Sequence, residues 1–217
     1  MKKTYLLAFI LIIACTKNDT ESKPEYTGII EGFLNKDPQI VVEPIQSDNQ
    51  SYYSTNSTKR GYIFKPSVDI EMTAIGGRMA KTGEYEIELF ELGDQPYSWI
   101  YQNDTPLLKK KVKITNTTEF QFTELDNKLL LNANKRYILR YFDESHASVY
   151  DVVLPNRYQD ENYLFHPQKI SDIELEAMYF AYYRKQGENY VYATDGTSKS
   201  SILFLRGIPD FTYVVKE

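Results

Sequence analysis

The sequence predicts an all-β chain folded as an antiparallel β-sandwich, and three observations carry that prediction. The first is a pair of period-2 runs between Gly61 and Leu92. Val68, Ile70, Met72 and Ala74 alternate with Asp69, Glu71 and Thr73; Tyr85, Ile87 and Leu89 then alternate with Glu84, Glu86 and Glu88. Alternation of this kind puts one face of a strand in a core and the other in water. The second is composition: of 217 residues, 42% are hydrophobic and 19 are tyrosines, enough for one core and rich in rings that suit a half-buried pleated surface. The third is that no long helical period and no repeat of 20–50 residues is evident.

At the N-terminus, Met1-Lys2-Lys3 is basic and Tyr5 to Ile13 is an apolar run too short to span a bilayer. The run ends in Ile12-Ile13-Ala14-Cys15. This resembles the lipobox of bacterial lipoproteins, in which the cysteine is acylated and the chain is cut just before it. The resemblance implies that residues 1–14 are a signal peptide and that Cys15 is the lipidation site, its acyl chains making the membrane a partner. Cys15 is the only cysteine, so it has no internal disulfide partner. Each buried methylene contributes ~0.8 kcal/mol, so several acyl chains on one residue anchor stably. Residues 15–25 then read as the acylated cysteine and a polar tether, whose span Thr16 to Glu25 reaches at most about 35 Å at ~3.5 Å per residue. Lys17, rather than an aspartate, is the second residue after the cysteine. The lipoprotein resemblance thus implies the outer membrane, with the cell surface and the periplasmic face both open. The net charge of −5 argues against a nucleic-acid surface, which needs clustered positive charge.

Residues 26–60 read as N-terminal edge strands and a loop. Tyr26 to Phe33 and Gln39 to Glu43 are short apolar runs broken by Gly32, Asp37-Pro38 and Pro44, and Gln46 to Arg60 is polar around Tyr52-Tyr53. Residues 61–217 read as the sandwich itself. Gly61 to Phe64 is a strand stopped at Pro66. The two alternating runs follow, with Gly76-Gly77 and Lys81-Thr82-Gly83 predicting the bend of an antiparallel hairpin between them. Lys109, Lys111 and Lys113 alternate within Pro106 to Ile114. The row Glu84, Glu86, Glu88 needs opposite charges across from it, so strand 84–92 is predicted to pair antiparallel with strand 107–115. Glu119 to Thr123 is a further strand. Leu129 to Leu131 leads through the turn Asn132-Ala133-Asn134-Lys135 into Arg136 to Phe142. Val149 to Leu154 is a strand, and Pro155 to Gln168 is a polar loop. Ile173, Leu175, Ala177, Tyr179 and Ala181 alternate with Glu174, Glu176, Met178 and Phe180, favouring a strand over a helix. Tyr190 to Ala193, Ile202 to Leu205 and Phe211 to Val215 complete about ten to twelve strands.

With the strands placed, residues 60–217 resemble a domain family of unknown function common in Bacteroidota lipoproteins and in multidomain carbohydrate-active bacterial proteins. Five stretches carry the resemblance: Gly61-Tyr62-Ile63-Phe64; Met72-Thr73-Ala74-Ile75-Gly76-Gly77; Thr82 to Phe90; Asn132 to Leu139 with its Lys135-Arg136-Tyr137; and Gly207-Ile208-Pro209-Asp210-Phe211. The chain departs from the family at Phe90, where a tryptophan is usual, and in the longer loop Gly93 to Pro106, which holds the only tryptophan. The resemblance implies a jelly-roll-like sandwich similar to carbohydrate-binding modules, with no known activity of its own.

The residues that could carry chemistry are few. His146 and His166 stand in separate polar loops with no H-E-x-x-H, phosphate loop or G-x-S-x-G elbow. Asp143, Ser145 and His146 are too close in sequence to converge as a triad. No catalytic residue, cofactor or metal is therefore assigned; Asn103-Asp104 and Asp160-Glu161 are groups that calcium takes, without its ligand spacing. The binding candidate is the loop Gly93 to Pro106. Tyr97, Trp99 and Tyr101 alternate, so an extended segment presents three rings on one side. Flat rings stack on the apolar face of a sugar, with Gln102, Asn103 and Asp104 beside them for hydroxyls. The competing reading of Trp99 is loop packing over the end of the sandwich. Two functions follow: a non-enzymatic lipoprotein binding a glycan or another extracellular ligand, or an assembly subunit contacting other envelope proteins.

Overall fold

The structure, a computed structural model, describes residues 27–36, 41–44, 56–96, 105–143, 150–153, 167–186, 189–198 and 208–216. They form helix α1 (Ile29–Lys36) and strands β1 (Val41–Pro44), β2 (Asn56–Pro66), β3 (Ile70–Arg78), β4 (Gly83–Glu91), β5 (Leu108–Ile114), β6 (Gln121–Leu131), β7 (Tyr137–Asp143), β8 (Tyr150–Val153), β9 (Gln168–Ile170), β10 (Ile173–Gln186), β11 (Asn189–Ser198) and β12 (Ile208–Val215). A seven-stranded sheet runs β11-β10-β2-β7-β4-β5, with β9 added on β10; a three-stranded sheet runs β12-β3-β6; β1 and β8 pair with each other. Every pairing is antiparallel.

The two larger sheets pack face to face as the all-β sandwich that the alternation predicts. The large sheet contributes Tyr62, Phe64, Tyr85, Ile87, Leu89, Tyr137, Leu139 and Tyr141 to the core, and the small sheet contributes Ile70, Met72, Ile75, Leu131 and Phe211. Phe64 joins them, its ring 4.9 Å from Phe211 across the layers and 5.6 Å from Tyr137 beside it. The other face of the large sheet is buried too. Ile63, Phe90, Leu92, Ile138, Tyr179 and Ala181 form a second cluster there. Residues 137–141 of β7 are consequently buried without interruption, a pattern that strands covered on both faces share.

The charged ladder forms as its alternation demands. Glu84 faces Lys113, Glu86 faces Lys111 and Glu88 faces Lys109 across β4 and β5. Lys109 reaches Glu86 at 2.7 Å and Glu88 at 3.8 Å.

Five expectations are corrected. Residues 29–36 are a helix, not an edge strand: Ile29, Ile30 and Leu34 bury one helical face in the core. The alternating runs of β3 and β4 are strands, but they lie in different sheets, so residues 79–82 cross the sandwich rather than close a hairpin. Gly76 and Gly77 are not the bend; they sit inside β3, where a Cβ on Gly76 would strike the Gln121 carbonyl and one on Gly77 the Ile208 carbonyl. The polar stretch 46–60 is not all loop, because β2 begins at Asn56. Last, the run 173–181 is a strand but does not keep one face. A register shift between Leu175 and Ala177 makes Glu176 the extra residue, so Ile173 and Leu175 enter the sandwich core while Tyr179 and Ala181 join the opposite cluster. Likewise 121–131 is one strand with a shift of register against β3, where two pieces are expected. The turn at 132–135 forms, with Asn134 left-handed at φ 60. Ile202 to Leu205 lies outside the described residues.

Helix α1 is held by a carboxylate 180 residues away. Ile30 N–H donates to Asp210 Oδ1 (3.1 Å) and Glu31 N–H to Oδ2 (3.0 Å), while Phe211 N–H donates to Oδ1 (2.8 Å). Asp210 does from β12 what an N-cap side chain does locally. Gly28 holds the cap position because its own Cβ would occupy the site of Asp210 Oδ2. Glu31 completes a capping box by accepting from Gly28 N–H (3.1 Å).

Candidate functional site

The strand directions sort the loops to two ends. Asp210 pairs with Gly76 near the end of β3, and Gly76 pairs with Phe122 at the start of β6. Helix α1, with Thr27 and Gly28 before it, therefore stands at the end where β3 finishes and β4, β6 and β12 begin. At the other end the turns are laced together. Asn134 N–H donates to the Pro66 carbonyl (2.7 Å), Ser67 N–H to the Asp172 carbonyl (2.7 Å), and Lys216 N–H to the Asp69 carbonyl (3.0 Å). Ala133 N–H donates to Asp69 Oδ1 (2.7 Å), and Asn132 N–H to the Tyr137 hydroxyl (2.8 Å). Loop 93–106 leaves β4 and returns to β5 at this laced end.

Arg136 holds the root of that loop. Its carbonyl accepts from Leu92 N–H (2.8 Å) and Gly93 N–H (3.2 Å). Its Nη1 donates to the Gln95 carbonyl (3.3 Å) and its Nε to Glu176 Oε2 (2.6 Å). Gly93 takes a left-handed φ of 56, a turn that glycine makes without strain, and Gln95 N–H closes it on the Leu92 carbonyl (3.0 Å). The residues proposed to bind, Tyr97, Trp99, Tyr101, Gln102, Asn103 and Asp104, lie outside the described residues, as do Cys15, Tyr52-Tyr53, Ser145, His146, Asp160-Glu161 and His166. The structure thus places the base of the candidate site.

A second assembly of polar groups sits inside the large sheet's second cluster. Lys109, Glu88, Arg140, Gly61 and Tyr179 occupy one row across five strands. Glu88 Oε2 accepts from Arg140 Nε (2.8 Å) and Lys59 Nζ (2.9 Å), and Arg140 Nη1 reaches the Tyr179 hydroxyl (3.4 Å). The guanidinium also lies over the Phe90 ring, 4.4 Å from its centroid. Gly61 makes the reach to Tyr179 possible. It stands between Arg140 and Tyr179 in the row, and a Cβ there would strike the Leu139 carbonyl. Burial pushes the Glu88 carboxyl up, but Arg140 and Lys59 together bring it below its ordinary value. With Arg140 1% exposed, this row is an internally satisfied ion cluster that rigidifies the sheet.

Asp210 is the other buried carboxyl among the described residues. Burial pushes it up to about 7, against the pull of its three N–H donors. Tyr62 faces it, its hydroxyl raised well above the ordinary value by burial and then by the Asp210 charge. Among the described residues no group of three or more His, Cys, Asp or Glu side chains converges to hold a metal ion, and no helix is long and apolar enough to cross a membrane.

Sequence reasoning passed over Arg136, Arg140 and Asp210. A signal existed for Arg140: it is a charge inside Tyr137–Tyr141, a run otherwise of aromatic and aliphatic residues. None existed for Asp210, whose partners are set only by the fold. Compared with family models, with curated proteins and with solved structures, the chain matches none.

Proposed function

We propose that this chain is a non-enzymatic cell-envelope lipoprotein, held in the outer membrane by acyl chains on Cys15, whose sandwich displays loop 93–106 as a binding site for an extracellular glycan. The observation that carries the reading is the opposition of the two ends. Helix α1, the first described element, begins at one end of the sandwich, and the chain enters and leaves the aromatic loop at the other. Strands of nine residues, such as β3 and β4, separate those ends by about 30 Å at ~3.3 Å per residue. A lipid-tethered protein built this way turns its loop away from its own membrane. Tyr97, Trp99 and Tyr101 supply stacking surfaces, and Gln102, Asn103 and Asp104 supply hydroxyl partners. Screening the chain from residue 16 on a glycan array tests the reading. A retained sugar that Trp99→Ala no longer holds, with the circular dichroism spectrum unchanged, supports it; an array on which wild type retains nothing overturns it.

A second reading, an envelope assembly subunit, draws on the small sheet. Val214 and Leu130 register on either side of Glu71 and are 43% and 39% exposed. In-cell crosslinking from position 130 separates the two: a specific protein adduct favours assembly, and its absence favours the loop.

A further inference from the structure

We infer that the outer edge of β5 is a docking site for an acidic, extended segment of another protein, which adds a strand to the large sheet there. Strand β5 ends that sheet and, among the described residues, pairs only with β4. The chain turns away after Ile114: Thr115 N–H is taken by Gln121 Oε1 at 2.7 Å, and β6 joins β3 in the other sheet. Strand β5 is seven residues long, about 23 Å at ~3.3 Å per residue. Over that length a row of backbone donors and acceptors has no strand beside it among the described residues. Such edges invite pairing, and lysine is a common guard on them. Here the lysines also select. Lys109, Lys111 and Lys113 are exposed on one face. A second copy of β5 laid antiparallel on this edge would set lysine against lysine, which destabilises a pair. An acidic strand meets no such penalty. Strand β4 already occupies the other edge in that way, with Glu84, Glu86 and Glu88 in register with the three lysines. Those carboxylates are largely claimed elsewhere. Glu88 is drawn to Arg140 (2.8 Å) and Lys59 (2.9 Å), and Glu86 to Lys109 (2.7 Å). Lys111 and Lys113 reach no carboxylate within 4 Å among the described residues. In a chain of net charge −5, two such cations beside an open row of N–H and C=O groups fit a strand with carboxylates at every second position. Strand addition takes its affinity from the backbone and its specificity from alternate side chains. The side chains between the carboxylates turn to the face of Val112 and Ile114, which belongs to the core, so apolar residues suit them.

The probe is a fluorescein-labelled octapeptide of alternating glutamate and valine. With the full chain held in detergent at low salt, its anisotropy should rise to saturation. An octapeptide of alternating lysine and valine should not bind. Changing Lys111→Glu and Lys113→Glu together should weaken the acidic peptide roughly tenfold or more, since like charges then face each other, with the far-ultraviolet spectrum that of wild type. Hydrogen exchange separates strand addition from loose charge attraction. With the acidic peptide bound, amides within 108–114 should exchange several-fold more slowly as they gain strand partners. No binding of the acidic peptide, binding that the double variant leaves unchanged, or binding without slowed exchange at 108–114 overturns the inference. Should the double variant fail to fold, equal binding of the two octapeptides to wild type overturns it instead.

Discussion

Two buried carboxylates in this protein respond to pH in opposite senses. Asp210 sits above its ordinary value, at about 7, with Tyr62 from β2 and Glu31 from α1 facing it. Its folded form therefore prefers the proton. The stability it contributes is complete below the unfolded value of about 3.9 and is lost as pH rises through about 7. Urea unfolding should show wild type losing stability between about pH 4 and 7, with Asp210→Asn removing that part of the slope. Asp210→Ala should cost about 2–3 kcal/mol, because two helix N–H groups lose their acceptor in a buried place. Glu88 sits below its ordinary value, burial being outweighed by Arg140 and Lys59. Its stability is present above the unfolded value of about 4.3 and is lost as pH falls through the folded one. Glu88→Gln removes the carboxylate that pairs with the buried Arg140 guanidinium. It should cost about 3–5 kcal/mol near neutrality, and its gap from wild type should narrow in acid. Equal losses at both pH values would contradict the assignment.

At the scale of elements, the glycines divide by what surrounds them. Gly61 packs against the Leu139 carbonyl, whereas Gly93 has nothing within 4 Å. Gly61→Ala should therefore destabilise by several kcal/mol through forced strand displacement, and Gly93→Ala by only about 1 kcal/mol through its left-handed backbone; thermal melts of the two variants check the order. The same contrast explains what was legible in the sequence. The Glu84/Glu86/Glu88 and Lys109/Lys111/Lys113 rows were readable because period 2 and opposite charge are local signals. The sheet that β3 joins was not, since alternation specifies faces but not neighbours, and Gly76-Gly77 serve close backbone approach as well as turns. The α1 helix is eight residues long, and its capping group is supplied by tertiary structure. Glu176 hides its bulge inside an unbroken alternation. Of the candidate site, the rings of Tyr97, Trp99 and Tyr101 could be read directly, but Arg136 could not, because it acts through carbonyls brought near by β4 and β7.

At the scale of the whole molecule, the proposed function takes one end of the sandwich as anchored and the other as displayed. The Asp210 cap ties α1 to the strand ends of the small sheet; Arg136 and the laced turns hold residues 92–95, where the loop leaves β4, at the far side. The proposed arrangement is tested most directly with the acylated full chain in vesicles whose lipids carry brominated acyl chains, reading the emission of Trp99. The account predicts that the protein stays with the vesicles and that Trp99 emits as brightly as in vesicles without bromine. Strong quenching of Trp99, or protein that does not remain with the vesicles, would contradict it.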